Sequence, residues 1–282
     1  MDTIFILYMT WNPSPEVFPW PLPLLGRPLL WYGVLFALGF FFGYLIFVNM
    51  AKRLLKITKG VSSKLAERVS FYVIIGAVAG ARIGDVLFYQ GPSVFVHDPL
   101  VIFRFWEGGL ASHGAVIGIL VALFILSRSK PKISWQRYID LLALPTLVAG
   151  ACIRVGNFAN QEILGRITEV PWAITFLRPA DGSLPVPRHP VQIYEAIGYL
   201  MLALILWRLL PRIKREGLLG GLFLTLCFSL RFFLEFFKQV ESALIPENFP
   251  LTMGQLLSLP VVMLGLWLCF KKPERVARVK RH

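Results

Sequence analysis

Four short groups of ionisable and amide side chains interrupt stretches that are otherwise apolar. His113 lies in E-G-G-L-A-S-H-G-A, just after Gly108-Gly109. Arg154 and Asn157 stand three apart in R-V-G-N-F-A-N-Q-E-I-L-G-R, which also carries Glu162 and Gly165. Gln192, Tyr194 and Glu195 share R-H-P-V-Q-I-Y-E. Arg231 and Glu235 stand four apart in R-F-F-L-E-F-F-K. Spacings of three or four put Arg154 with Asn157, Gln192 with Glu195, and Arg231 with Glu235 on shared helix faces.

Taken together, these residues hold arginines, one histidine, carboxylates and amides. An arginine fork grips phosphate or carboxylate with two parallel hydrogen bonds. A neighbouring histidine or carboxylate can accept a proton. There is no G-x-S-x-G elbow, H-E-x-x-H pair or P-loop, and the acids are too scattered for a two-metal site, so no metal or cofactor is expected. The inventory fits a phosphate held by arginine beside a proton acceptor. The plainer readings are a satisfied core histidine at His113 and a structural ion pair between Arg231 and Glu235, and both stay open at this point.

The elements that must position these groups follow from composition. Of 282 residues, 56% are hydrophobic and 16% charged, where a soluble chain carries about 25% charged residues. Apolar runs near 29–50, 69–90, 109–127, 138–158, 190–210, 217–237 and 252–270 are each about the 20 residues that cross hydrocarbon as a helix. The expectation is an all-α, polytopic membrane bundle of about seven transmembrane helices, one domain over residues 1–282. Ionisable groups inside such spans are expensive and usually functional or paired. All four groups fall in the same half of the membrane, on separate spans, which is what a shared site requires.

Charge sets the orientation. The net charge is +13, and twenty of the 29 cations lie on alternate loops: Lys52 to Arg68, Arg128 to Arg137, Arg208 to Arg215, and Lys271 to Arg281. The positive-inside rule puts those loops and the C-terminus in the cytoplasm and the N-terminus outside. That distribution argues against nucleic acid as a partner and for anionic membrane lipid. The other nine cations are Arg27, Arg82, Arg104, Arg154, Arg166, Arg178, Arg188, Arg231 and Lys238. Their arginine bias on the outer side suggests an anionic ligand, and Arg82 joins the candidates to bind it. A phospholipid headgroup in the outer leaflet would carry its phosphate to this depth.

Outside the spans, residues 91–107 read as an interfacial segment. Residues 159–189, with a β-prone stretch at Trp172–Leu177, read as a small extracytoplasmic head. The N-terminus, interrupted by Pro13, Pro15, Pro19, Pro21 and Pro23, reads as lying on the outer membrane surface. Gly76, Gly80 and Gly84, like Gly114 and Gly118, have the spacing of helices in close approach. Cys152, Cys227 and Cys269 lie within predicted spans and read as small core residues.

These motifs, in order and spacing, resemble the bacterial prolipoprotein diacylglyceryl transferases. The resemblance runs from L-L-W-Y-G-V at Leu29–Val34 through G-A-R-I-G-D-V-L-F-Y at Gly80–Tyr89 and G-G-L-A-S-H-G at Gly108–Gly114. It continues through the Arg154, Arg188 and Arg231 motifs to M-G-Q-L-L-S at Met253–Ser258. It implies a bacterial inner-membrane enzyme that moves the diacylglyceryl group of phosphatidylglycerol to the lipobox cysteine of a prolipoprotein signal peptide. The product is a thioether, and glycerol phosphate leaves. The nucleophile then belongs to the substrate. The family's functional positions fall on Tyr32, His113, Arg154, Asn157, Glu162, Gly165, Arg231 and Glu235, with His113 and Glu162 as rival bases. Arg154 and Arg231 would compensate the leaving group's charge. Where the family usually carries Pro-Asp after the sixth span, this chain has Lys238-Gln239-Val240-Glu241. The alternatives are another phospholipid-headgroup enzyme on the same scaffold, or an anionic-solute transporter.

Overall fold

The computed structural model describes residues 8–21, 26, 28–87, 94, 98, 100, 101, 104, 112–239 and 249–272, without the side chains of Ser112 and His113. Most of segment 91–107 therefore lies outside the described residues. The α-helices are α1 (Trp31–Leu55), α2 (Lys59–Asp85), α3 (Ser112–Ser127), α4 (Trp135–Ala159), α5 (Val191–Leu209), α6 (Leu218–Leu234) and α7 (Met253–Phe270). Five of them, α1 and α4 to α7, are long and apolar enough to cross a membrane. The apolar helix in α3 is shorter, Gly114–Ser127. Helix α2 begins ten residues before the apolar run expected at 69, so its first turns carry Lys59, Lys64, Glu67 and Arg68.

Side-chain caps define several helix ends. Ser134 accepts from the Arg137 N–H at the start of α4, and Thr252 with Gln255 forms a capping box at the start of α7. The start of α6 is capped from another helix: fully buried Asp140 of α4 accepts from the N–H groups of Gly217 and Gly220, each at 2.8 Å. Pro145 and Pro260 sit inside α4 and α7, a placement that membrane helices tolerate.

Small residues form the tightest helix contacts. A Cβ on Gly80 would lie 2.3 Å from the Gly114 carbonyl oxygen, and one on Gly118 would lie 2.0 Å from that of Gly76. Glycine there is required by the close approach of α2 and α3. Gly39 meets Ala149 and Cys152 between α1 and α4, and Gly221 meets Gly265 between α6 and α7. The bundle core holds Met50, Leu126, Tyr138, Leu141 and Leu206, all fully buried. Phe41, Phe71, Ile117, Met201 and Phe270 point outward, as lipid-facing side chains do.

A short sheet lies against the end of α4. Strand β1 (Met9–Trp11) runs parallel to β2 (Ile174–Phe176), which pairs antiparallel with β3 (Pro187–Arg188). Beneath it pack Phe158, Leu164, Ile174 and Phe176, with Trp11 and Ile193 at the margin. Trp11 donates from Nε1 to the Phe158 carbonyl at 3.0 Å. The N-terminal segment is thus the third strand of a sheet, which its prolines concealed in the sequence.

Candidate active site

The turn after α4 is bent to present one carboxylate. Gln161 and Ile163 adopt φ of 57° and 55°. Left-handed backbone is unusual at non-glycine residues and a real outlier at a β-branched one, costing about 1–3 kcal/mol where it occurs. The surroundings hold it in place. The Glu162 N–H donates to the Asn157 carbonyl at 2.9 Å. The buried Gln161 side chain accepts from the Arg178 N–H at 2.7 Å, and the Gln161 backbone carbonyl accepts from the Ala180 N–H at 3.0 Å. Gln192, fully buried on α5, donates to the Glu162 carbonyl at 2.7 Å. The Glu162 carboxylate then accepts from Asn157 Nδ2 and Asn160 Nδ2, both at 3.0 Å.

From Asn157 a chain of polar contacts crosses the bundle. Its Oδ1 accepts from Arg154 Nη1 at 3.0 Å. One amide therefore faces a cation with its carbonyl and a carboxylate with its NH₂, and only this orientation satisfies both. Arg154 Nε lies 2.7 Å from Glu195 Oε2, and the Tyr199 phenol adjoins the guanidinium. Glu195, fully buried on α5, takes Lys238 Nζ on its other oxygen at 2.8 Å. Lys238 also lies 3.5 Å from Glu235 Oε2. A buried carboxylate needs such partners, because an isolated charge there costs several kcal/mol.

Arg231 and Glu235 share a helix face but form no ion pair with one another; among the described residues the cation beside Glu235 is Lys238. The Arg231 charge acts instead on Glu195 and Tyr199. Glu235 sits against the backbone of α7, where a Cβ on Gly254 would lie 2.4 Å from its Oε1. Tyr32 lies across Gly156 of α4, within electrostatic reach of Glu162 and Arg154. Gly165 serves backbone approach: its Cβ would meet the His189 carbonyl at 2.2 Å, and it bridges to Lys238. Arg82 is buried on α2, where Nε donates to the Val101 carbonyl at 3.0 Å and Nη1 lies 3.7 Å from Asp85. No described contact joins it to Arg154. His113 lies in the first turn of α3, and its side chain is outside the described residues. Among the described residues, no group of three His, Cys, Asp or Glu side chains could hold a metal ion.

A family model described as prolipoprotein diacylglyceryl transferase matches residues 22–271 of the chain. The chain belongs to this family. Three relatives carry the name phosphatidylglycerol–prolipoprotein diacylglyceryl transferase. The one from Porphyromonas gingivalis is 41% identical, with 94% of each chain covered. The one from Chloroherpeton thalassium is 40% identical over 95% of this chain and 96% of its own. The one from Protochlamydia amoebophila is 32% identical over 95% and 96%. The chain is accordingly a transferase, and its apolar helices fit a membrane protein.

Within this transferase the segment after α6 is a structural partner that sequence reasoning underrated. Arg166 donates from its backbone N–H to the Phe237 carbonyl at 2.8 Å and from Nε to the Lys238 carbonyl at 2.9 Å. Gln239 returns its N–H to the Leu164 carbonyl at 3.1 Å, and its side chain accepts from Arg188 at 2.8 Å. Lys238 and Gln239, the first two residues of the Lys238-Gln239-Val240-Glu241 segment, thus tie the Glu162 turn to α6. The signal available was Lys238 itself, a cation three residues after Glu235 and outside the four basic loops. Asn160 and Gly254 also went unassigned, although both lie inside the quoted motifs.

Proposed function

We propose that this chain transfers the diacylglyceryl group of phosphatidylglycerol to the lipobox cysteine thiol of a prolipoprotein. The observation that carries this reading is the shared Asn157, which links the Arg154 guanidinium to the Glu162 carboxylate through one amide. Arg154, fixed by Glu195, offers its fork to the donor phosphate, and Arg231 adds positive charge nearby. Fixed donors aimed at developing charge stabilise it without reorganisation. The thiol sulfur attacks the glyceryl carbon bonded to the phosphate oxygen. The carbon–sulfur bond forms as that carbon–oxygen bond breaks, and glycerol phosphate leaves with the electron pair. The thiol proton passes to His113 or Glu162, since a thiol near pKa 8.5 must lose it to attack. Tyr32 and Asn157 orient the headgroup.

The reading extends to topology. In this reading the chain crosses the bacterial inner membrane seven times, with the N-terminus, the sheet and the Glu162 turn outside and the C-terminus in the cytoplasm; the alternating basic loops support that orientation. Residues 159–189 with β1 form the outer head. An exported prolipoprotein would meet the site from that side.

The test uses purified protein in detergent with phosphatidylglycerol labelled in the diacylglyceryl group and a peptide bearing a lipobox. Label should move to the peptide with release of glycerol phosphate, and a Cys→Ser peptide should receive none. Turnover of phosphatidylglycerol without peptide labelling would favour a different headgroup enzyme.

A further inference from the structure

We infer that this protein carries a second phosphate site, at the opposite end of α4 from Arg154, for the headgroup of an anionic phospholipid. A cavity of about 290 Å³ opens where α3 ends, α4 begins and α7 ends. Arg128 and Lys132 from the α3–α4 turn and Lys271 from the end of α7 line it, with Ser134, Trp135 and Gln136. Three cations from two separate chain segments thus meet around one hollow, and among the described residues no carboxylate lines it. The neighbouring acid, Glu216, is engaged by Arg137 at 3.2 Å and by the Ser134 hydroxyl at 2.7 Å.

Position decides between a lipid and a soluble anion. Trp135 and Arg154 lie on the same helix, nineteen residues and so roughly 28 Å apart at 1.5 Å per residue. That is about the thickness of the hydrocarbon core. The inference rests on the proposed membrane placement, with the transfer site at one face and this cavity at the other. The Trp135 and Trp267 rings stack at 6.2 Å beside the cavity, with Lys271 Nζ 5.1 Å above Trp267 and Arg128 over Phe124 at 4.7 Å. Stacked tryptophans with cations at helix ends mark the headgroup level. A basic hollow between helices on the cytoplasmic side is the form that binds lipid phosphates.

The probe is phosphatidic acid, titrated into the purified full-length protein in detergent, with bound lipids counted by native mass spectrometry. The triple variant Arg128→Gln/Lys132→Gln/Lys271→Gln should lose one bound lipid relative to wild type. Each basic residue near an anionic surface is worth roughly fivefold in affinity, so that site should weaken on the order of 100-fold. Lys130→Gln, in the same turn but outside the lining, should change nothing. Diacylglyceryl transfer to a lipobox peptide should persist in the triple variant, which also reports its folding. If the triple variant misfolds, Lys132→Gln alone should show a roughly fivefold loss. Equal lipid counts in wild type and triple variant would overturn the site. So would an equal effect of Lys130→Gln, equal retention of phosphatidylcholine, or displacement of the lipid by millimolar inorganic phosphate. Absence of transfer in the wild type would count against the proposed function and leave the lipid result standing.

Discussion

Lys238 Nζ lies 2.8 Å from Glu195 Oε1, although 43 positions separate them in the sequence. The contact joins the segment after α6 to the middle of the polar chain, because the other Glu195 oxygen holds Arg154. Lys238→Met leaves a buried carboxylate with one cation fewer, a change that typically costs about 3 kcal/mol or more. The same substitution in a Glu195→Gln background should cost much less, since the amide carries no charge to strand. Unfolding of all four proteins in one detergent gives the coupling. A sum additive to within about 0.5 kcal/mol would show that the two side chains are not energetically linked.

The α2–α3 seam predicts opposite outcomes for two glycine-to-alanine changes. At Gly80 a methyl group would meet the Gly114 carbonyl oxygen and the Gly118 backbone. These are backbone atoms, so the helices must separate, at a cost of about 1–3 kcal/mol. The shift also moves the first turn of α3 that carries His113, so transfer should fall together with stability. Gly60, in the first turn of α2, has nothing within 4 Å of its Cβ position. Gly60→Ala should be neutral or stabilising by up to about 1 kcal/mol. Thermal melting and transfer rate, measured on both variants, check the pair; a fully active, stable Gly80→Ala would refute the close approach.

How legible these relationships were depends on their range. Approximate helix positions follow from apolar runs, and close helix packing from four-residue glycine spacing, because both are local periodicities; that α2 and α3 are the pair that meets is not local. The Arg154–Asn157 contact is local too, and its shared face was readable. The Glu162 turn was not, since its left-handed residues are Gln161 and Ile163 rather than the glycines that usually announce such backbone. Strand β1 was hidden by its length, a three-residue pairing with β2, and by the run of prolines that follows it from Pro13. The choice of Lys238 over Arg231 as the cation beside Glu235 turns on the 3₁₀ turn at Glu235–Phe237, which carries Lys238 back towards Glu195. Helical spacing alone favoured Arg231, four residues away on the same face.

The sharpest prediction concerns the geometry of Arg154. Its Nε meets Glu195 and its Nη1 meets Asn157, so two directions of one planar group are already fixed. Arg154→Lys keeps the positive charge but supplies a single ammonium that cannot hold both partners and also grip a phosphate. Loss of an oriented donor to developing charge costs on the order of 100-fold or more in rate. Transfer should therefore fall by at least that much in a protein that still folds, because the ammonium can keep a contact to Glu195. Arg178→Lys is the comparison. The Arg178 guanidinium donates to Asn12 Oδ1 at 2.7 Å and to the Pro13 carbonyl. Its replacement should loosen the N-terminal strand, seen as faster amide exchange at residues 9–11, while transfer changes by less than about threefold, within the scale of an exposed contact. Near-normal transfer by Arg154→Lys would mean that only charge matters at that position, and the phosphate grip would then fall to Arg231.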